Sequence, residues 1–123
     1  MPTNGNIDNV LLEKSYAFAL RIIKLYQYLC NEKKEYVLSK QILRSGTSIG
    51  ANVEEAIGGQ SEKDFKAKLS IAYKEARETH YWLRLIRDSE ILSEKEVESL
   101  ITDCDEILKI SGSIIKTMKI RNS

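Results

Sequence analysis

Small and apolar residues recur at alternating spacings of four and three along most of this chain. That spacing places them on one face of an α-helix, whereas a half-buried β-strand would require every second residue to be apolar. The most regular segment has its seam at Phe65, Leu69, Ala72, Ala76, Thr79, Leu83 and Ile86. Similar seams run from Leu11 to Leu29, from Ile42 to Ala56 and from Val97 to Met118. The only proline is Pro2, so no proline interrupts the segments that follow. The pattern predicts an all-α protein.

Four helices are predicted, separated by short polar links. Their predicted ranges are 8–31, 39–57, 62–89 and 94–119, within one domain that covers residues 1–123. Gly58 is typical of a residue that ends a helix, and Ser61 and Ser93 each precede an acid by three residues, as in a capping box. Long helices joined by short links predict an antiparallel up-down-up-down left-handed four-helix bundle.

Two glycines, Gly46 and Gly50, lie inside the second predicted helix. Each costs roughly 1 kcal/mol relative to alanine in a helix interior. A neighbouring helix that approaches too closely for a side chain would offset this cost. The segment is not a phosphate-binding loop, because no lysine follows the second glycine. We therefore interpret both residues as packing glycines.

Polar residues also share one face of the second helix. Arg44, Ser48, Asn52 and Glu55 recur at spacings of four, four and three, and Glu78 of the third helix could face them. One interpretation is a buried hydrogen-bond network that fixes the register of the helices. The alternative is a small-ligand site between helices, and the network is the favoured interpretation.

Three apolar residues of the third helix lie off its seam, namely Ile71, Trp82 and Leu85. They leave apolar surface that points away from the predicted core. We expect this surface to contact a second copy of the chain or a partner protein.

The formal net charge is only +1, so the chain as a whole has no strong positive field that would attract nucleic acid. A local basic region remains. Its members after Glu106, with no acid among them, are Lys109, Lys116, Lys119 and Arg121. They could pair with the C-terminal end of a helix dipole or bind phosphate. Weaker phosphate-binding candidates on the third helix are Arg77, Arg84 and Arg87.

Residues for catalysis or metal binding are sparse. The only histidine is His80, and Arg77 stands where a Glu-x-x-His di-iron pair would need a carboxylate. A zinc site lacks ligands for the same reason, and no base accompanies a nucleophilic serine or cysteine. Cys30 and Cys104 fall at apolar helical positions and are predicted to be buried thiols. We expect a non-enzymatic protein with no cofactor, metal or small-molecule substrate.

No apolar run approaches the roughly 20 residues that a membrane-spanning helix requires. The first part of the chain also lacks the charged start and apolar core of a secretory signal. The expected location is the cytoplasm, without a membrane partner.

Several of these residues form a recognisable pattern in the second and third helices. Its parts are Gln41-Ile42-x-Arg44, Ser48-Ile49-x-Ala51-Asn52-Val53-x-Glu55, Asp64-Phe65, and Ala72 with Glu78. The pattern resembles the four-helix bundle family of bacterial 23S rRNA intervening-sequence proteins, which includes the accessory variability protein of diversity-generating retroelements. The resemblance implies a ring-like homopentamer. For the retroelement branch it also implies a basic surface that binds nucleic acid and the reverse transcriptase.

Two functions are therefore expected as alternatives. The first is an oligomeric scaffold that binds structured RNA or a ribonucleoprotein through the basic residues. The second is a protein-interaction module that docks a partner such as a reverse transcriptase through Ile71, Trp82 and Leu85, without binding nucleic acid directly.

Overall fold

The computed structural model describes the backbone of residues 5–121 and the side chains of residues 8–119. The described chain forms four helices and no strands. The helices are α1 (Gly5–Asn31), α2 (Leu38–Ile57), α3 (Glu62–Asp88) and α4 (Glu94–Arg121). The predicted all-α fold is confirmed, and the predicted helix ends are correct to within three residues.

The helices pack in a square in which α2 contacts α1 and α3, and α4 contacts α3 and α1. Neighbouring helices run in opposite directions. Across the α3–α4 boundary, for example, His80 contacts Asp105 and Arg87 contacts Glu98, so the residue number rises on one helix as it falls on the other. The chain is thus a four-helix bundle, and its left-handed twist stays a prediction.

The core lies where the four predicted seams meet. All seven seam positions of α3 are buried, from Phe65 at one end to Ile86 at the other. The predicted seams of α1 and α4 are buried as well, and Phe18 and Phe65 are among the largest fully enclosed side chains. Removing such surface from water stabilises the fold by about 25 cal/mol per Å² of apolar area.

The two glycines of α2 lie where α1 and α2 approach each other closely. A Cβ atom on Gly46 would stand 2.8 Å from Cγ1 of Ile22, and one on Gly50 would stand 3.3 Å from the carbonyl oxygen of Ser15. Both distances are shorter than ordinary carbon contacts. The structure therefore agrees with the interpretation of both residues as packing glycines.

Glu35 caps α2 from the preceding link, a role that the sequence analysis did not assign. Its carboxylate accepts hydrogen bonds from the backbone N–H groups of Val37 at 3.2 Å, Leu38 at 3.0 Å and Ser39 at 2.7 Å. Burial acts to raise the pKa of Glu35, but these donors and the Ser39 hydroxyl outweigh it, so the pKa of Glu35 is lowered. The carboxylate satisfies three of the N–H groups that a helix start leaves without partners.

The other helix ends match the predictions in part. Ser61 Oγ accepts a hydrogen bond from the Asp64 backbone N–H at 3.0 Å, as a capping box requires. Gly58 follows the last residue of α2 but has a φ of −79°, so it does not adopt the left-handed conformation typical of a glycine C-cap. Positive φ values occur instead at Lys34 (53°) and Glu90 (61°) in the links.

The boundary between α1 and α4 is the least extensive of the four. Two ion pairs cross it. Lys14 Nζ lies 2.9 Å from Glu106 Oε2, and Arg21 pairs with Asp103. Because all four side chains are partly exposed to water, these pairs add little to the free energy of unfolding.

Candidate functional site

The α3–α4 face carries the arginines that the sequence singled out. Arg77 and Arg84 are exposed and stand two helical turns apart on α3, and a cavity of about 480 Å³ lies between them and Leu108 of α4. His80 Nε2, on the same face, lies 2.8 Å from Asp105 Oδ1. This is an open, charged groove and not an enclosed active site.

An exposed aromatic ring, Tyr81, lies in the same cavity. The guanidinium carbon of Arg84 is 5.8 Å from its ring centroid, which is within cation–π range. The ring of Trp82 meets it edge-on, with centroids 5.2 Å apart and planes at 64°. The sequence analysis did not select Tyr81, although its place three residues before Arg84 was a usable signal.

The lysines of α4 extend the positive charge along the bundle. Lys109, Lys116 and Lys119 are all exposed, and the first two are separated by two helical turns, or about 10.5 Å. Among the described residues no carboxylate lies within 4 Å of their ammonium groups or of the Arg77 and Arg84 guanidinium groups. The side chain of Arg121 lies outside the described residues.

Arg87 differs from these cations because its charge is already compensated. Its Nε lies 2.8 Å from Asp88 Oδ1, and its Nη1 lies 2.9 Å from Glu98 Oε1. Hydrogen bonds to Asp88 and then to Glu98 raise the pKa of Arg87, and the contact with Arg87 lowers the pKa of Asp88. Arg87 is therefore less available for a phosphate than Arg77 or Arg84.

The polar face of α2 lies at the surface and not in a buried network. Gln41, Arg44 and Glu55 are exposed, and Arg44 forms ion pairs across to Glu75 and Glu78 of α3. Ser48 and Asn52 are half-buried and form bonds within their own helix. Ser48 Oγ donates to the Arg44 carbonyl at 2.6 Å, and Asn52 Nδ2 donates to the Ser48 carbonyl at 2.9 Å.

A buried hydrogen bond does join α2 to α3, between residues that the sequence analysis had not paired. Thr79 Oγ1 can donate its one hydrogen to Ser45 Oγ at 2.9 Å or to the Glu75 carbonyl at 2.8 Å, and Ser45 Oγ donates to the Gln41 carbonyl at 2.9 Å. Ser45 and Thr79 are both fully enclosed. A helical spacing identifies which residues share a face, but it does not show whether that face is covered.

The apolar residues off the α3 seam, which we call the α3 stripe, are Ile71, Trp82 and Leu85. Ile71 and Leu85 are exposed. Trp82 is half-buried, packs partly against the core, and donates from Nε1 to Glu78 Oε2 at 2.9 Å. The stripe thus presents two exposed aliphatic residues and the accessible part of one indole.

A second exposed apolar surface lies between α1 and α2 and was not predicted. Tyr16, Leu20 and Ile23 follow the four-and-three spacing on the outer side of α1, and Tyr16 is 61% exposed. Two adjoining cavities of about 520 and 610 Å³ share Tyr16, Leu20 and Glu54. We call this surface the α1–α2 groove.

The sequence pattern of the family described as "23S rRNA-intervening sequence protein" matches residues 8–113. The chain belongs to this family. A crystal structure of a protein with unknown function from the S23 ribosomal protein family of Bacteroides thetaiotaomicron VPI-5482 is 55% identical to it. The match covers 89% of this chain and 98% of the other, with a TM-score of 0.87. Comparison with curated proteins gave no match.

The family match includes some of the basic residues of this intervening-sequence protein and leaves others out. Arg77, Arg84 and Lys109 lie inside residues 8–113, whereas Lys116 and Lys119 lie beyond them. The family pattern therefore covers the groove between α3 and α4 but not the last turns of α4.

The two cysteines of this intervening-sequence protein are free thiols. Cys104 is buried and its Sγ donates to the Ala76 carbonyl at 3.3 Å, and burial raises its pKa to about 12. Cys30 is only half-buried. Within the described part of the chain, no group of three His, Cys, Asp or Glu side chains could hold a metal ion, and no helix is long and apolar enough to cross a membrane.

Proposed function

We propose that this intervening-sequence protein is a non-enzymatic, homo-oligomeric scaffold that binds structured RNA. Binding would use the basic face, which we define as the exposed residues Arg77, Arg84, Lys109, Lys116 and Lys119. The observation that carries the proposal is that these exposed cations lie along one side of the bundle, on α3 and α4, with no carboxylate within 4 Å among the described residues.

Unpaired cations suit RNA because each one that meets a phosphate releases a condensed counterion. A net charge of +1 does not prevent such binding when the positive charge is concentrated on one side of the bundle. Tyr81, between Arg77 and Arg84, adds a ring on which an unpaired base can stack. The family is named for an insertion in 23S rRNA, which makes structured RNA the nucleic acid to test first.

The test is the affinity for an rRNA hairpin across a salt titration, on protein whose mass is fixed by light scattering in the same buffer. Lys116 and Lys119 are changed together to glutamate. The matched control changes the exposed Lys33 and Lys95 to glutamate, which alters the net charge equally at positions outside the basic face.

We expect the variant in the basic face to bind about tenfold or more weakly and to show a shallower salt dependence, because each lost phosphate contact removes roughly 0.7 to 0.9 from the slope. The control should stay within about threefold of the wild type. Wild-type protein that binds no RNA even at low salt would contradict the proposed RNA-binding role.

Family resemblance supports a pentamer as the assembly, and the proposed role places it in the cytoplasm. A pentamer would have five times the 14.1 kDa mass of the chain. Light scattering of the wild-type protein measures this mass directly, and a monomer would contradict the oligomeric part of the proposal.

The exposed α3 stripe favours a second candidate function, in which the protein docks a partner such as a reverse transcriptase without binding nucleic acid. A contiguous exposed apolar patch can mark a protein–protein interaction site. Retention of a purified reverse transcriptase by the wild type, and its loss with Leu85→Glu, would support this function. No retention would leave RNA binding as the better candidate.

A further inference from the structure

We propose that Ile71, at one end of the α3 stripe, packs into the α1–α2 groove of the next copy, so that the chain assembles through two different faces that share α2. The inference rests on the proposed homo-oligomer and specifies which surfaces build it. It requires a groove that accepts side chains, a stripe that supplies them, matching heights along the bundle and compatible charges.

The groove is shaped to receive side chains. Tyr16, Leu20 and Ile23 form one wall, and Gly50 and Ala51 on α2 leave space opposite them. The part of α1 that lines the groove runs from Leu12 to Ile23, a length of about 17 Å at 1.5 Å per residue. Three turns of helix can therefore lie against it.

Ile71 of the α3 stripe stands at a matching height, whereas Trp82 and Leu85 lie about three and four turns further along α3, beyond the level of the α2 residues that line the groove. Lys68 on α3 lies 4.0 Å from Glu55 on α2, so these two residues are level along the bundle. Ile71 is one turn beyond Lys68, which places it level with the Gly50 region, where α2 meets Ser15 of α1. A rotation about an axis parallel to the helices would bring Ile71 of one copy to the middle of the groove of its neighbour.

Charge at the two faces is complementary. Glu13 and Glu54 line the groove, are exposed, and have no cation within 4 Å among the described residues. Lys68 lies at the same height on the α3 side and contacts Glu55 only at the 4.0 Å limit of an ion pair. In the assembly Lys68 would pair with Glu54 of the next copy, which fixes the register of the contact.

The position of these faces on the square determines how the assembly closes. When two different faces of each copy are in contact, the copies form a closed ring if the rotation from one copy to the next divides a full turn evenly. Adjacent sides of a square bundle point about 90° apart, close to the roughly 90° to 108° between the two neighbours of a subunit in a ring of four or five. Such a ring places α2, with Gln41, Arg44 and Glu55, nearest the axis. It leaves α4, and with it the basic face, on the outside.

Two variants with matched exposure test the inference. Leu20→Glu charges the groove and Ile71→Glu charges the stripe, where the wild-type residues are 49% and 41% exposed. Tyr28→Glu is the control, because Tyr28 is 40% exposed and lies on α1 outside the residues that line the groove. Circular dichroism checks the helical content of each, and light scattering gives the mass of each variant alone and in mixtures.

We expect each of the two variants alone to be monomeric, because each has lost one of the two faces. An equimolar mixture should give a species of two chains, since the groove variant keeps an intact stripe and the stripe variant keeps an intact groove. The double variant should be monomeric as well, and Tyr28→Glu should keep the wild-type mass.

The outcomes separate this inference from the proposed function. A monomeric wild type would refute the homo-oligomer itself. An oligomeric wild type whose mass survives Leu20→Glu or Ile71→Glu would overturn the inference alone, as would dimers formed by either variant by itself. If a glutamate unfolds the chain, Leu20→Ser and Ile71→Ser replace it, and each should weaken the association of subunits by about tenfold or more.

Discussion

Gly46 of α2 and Ile22 of α1 approach so closely that a Cβ atom on the glycine would lie 2.8 Å from both Cγ1 and Cγ2 of the isoleucine. Ile22 is fully buried, so moving it away from an added Cβ would disturb its neighbours in the close-packed core. The contact sets the separation of α1 and α2.

Replacing Gly46 by alanine should therefore destabilise the protein by about 1 to 3 kcal/mol. The clash outweighs the roughly 1 kcal/mol by which alanine favours a helix over glycine. Urea unfolding measures the change. Gly112→Ala is the control, because its Cβ would meet only the ring edge of half-buried Tyr73 at 3.1 Å. Equal stability of the two variants would contradict the prediction.

The buried bond between Thr79 and Ser45 leads to a second prediction. Thr79→Val removes a buried hydroxyl that contacts both Ser45 Oγ and the Glu75 carbonyl, and we expect it to lower the free energy of unfolding by about 1 kcal/mol. Thr117→Val, at an exposed position where the hydroxyl bonds only the Ser113 carbonyl, should change it by less than about 0.5 kcal/mol.

A double-mutant cycle with Ser45→Ala isolates this bond from other effects of the substitutions. We expect an interaction energy of about 0.5 to 1 kcal/mol between positions 45 and 79. Additive effects of the two substitutions would show that the bond adds nothing to stability.

The cap at the start of α2 predicts a dependence of stability on pH. Because folding lowers the pKa of Glu35, its carboxylate stabilises the protein above the pKa it has when unfolded, and this contribution is lost as the pH falls through the folded pKa. Glu35→Gln should cost about 0.5 to 2 kcal/mol at pH 7. The difference between Glu35→Gln and the wild type should shrink on acidification.

Thermal unfolding of the wild type and of Glu35→Gln between pH 3 and pH 7 measures the difference in their stability. The exposed neighbour Glu32 provides the control as Glu32→Gln, for which we expect little change at any pH. A cost of Glu35→Gln that is the same at pH 3 and pH 7 would refute the role of the ionised carboxylate.

The two thiols should differ in reactivity. Burial raises the pKa of Cys104 to about 12, so almost none of it is thiolate near pH 8, whereas Cys30 is half-exposed. Native protein should take up one equivalent of iodoacetamide per chain at Cys30, and urea-unfolded protein should take up two. Native labelling of Cys104 as fast as Cys30, located by mass spectrometry, would contradict this expectation.

The helices were predictable because heptad spacing alone determines which residues of a long amphipathic helix face the core. The predicted seams of α3, from Phe65 to Ile86, and of α4, from Val97 to Met118, are buried as expected. Tyr16 and Leu20 follow the same spacing beside the α1 seam. The sequence therefore contained the signal for the α1–α2 groove, although it was not used.

Other features could not be read from spacing. Glu35 resembles any surface acid of a polar link, and only the folded backbone shows that its carboxylate reaches three N–H groups. Arg44 and Asn52 share one face of α2, as their spacing predicts. How far this face is buried depends on the packing of α2 against α3, which the spacing does not show. Trp82 was correctly placed off the seam, but its partial burial was not predicted. Its large ring extends from this outward position and packs against part of the core.

The α1–α4 boundary also gives the bundle an unequal distribution of local stability. The exposed pairs of Lys14 with Glu106 and Arg21 with Asp103 are weakened by added salt, whereas the α2–α3 boundary is the most extensive of the four and encloses the Thr79 hydroxyl. In native-state hydrogen exchange, amides of α1 and α4 should exchange before those of α2 and α3. We therefore expect a firm helical hairpin of α2 and α3 flanked by α1 and α4, with local opening that begins along the α1–α4 edge.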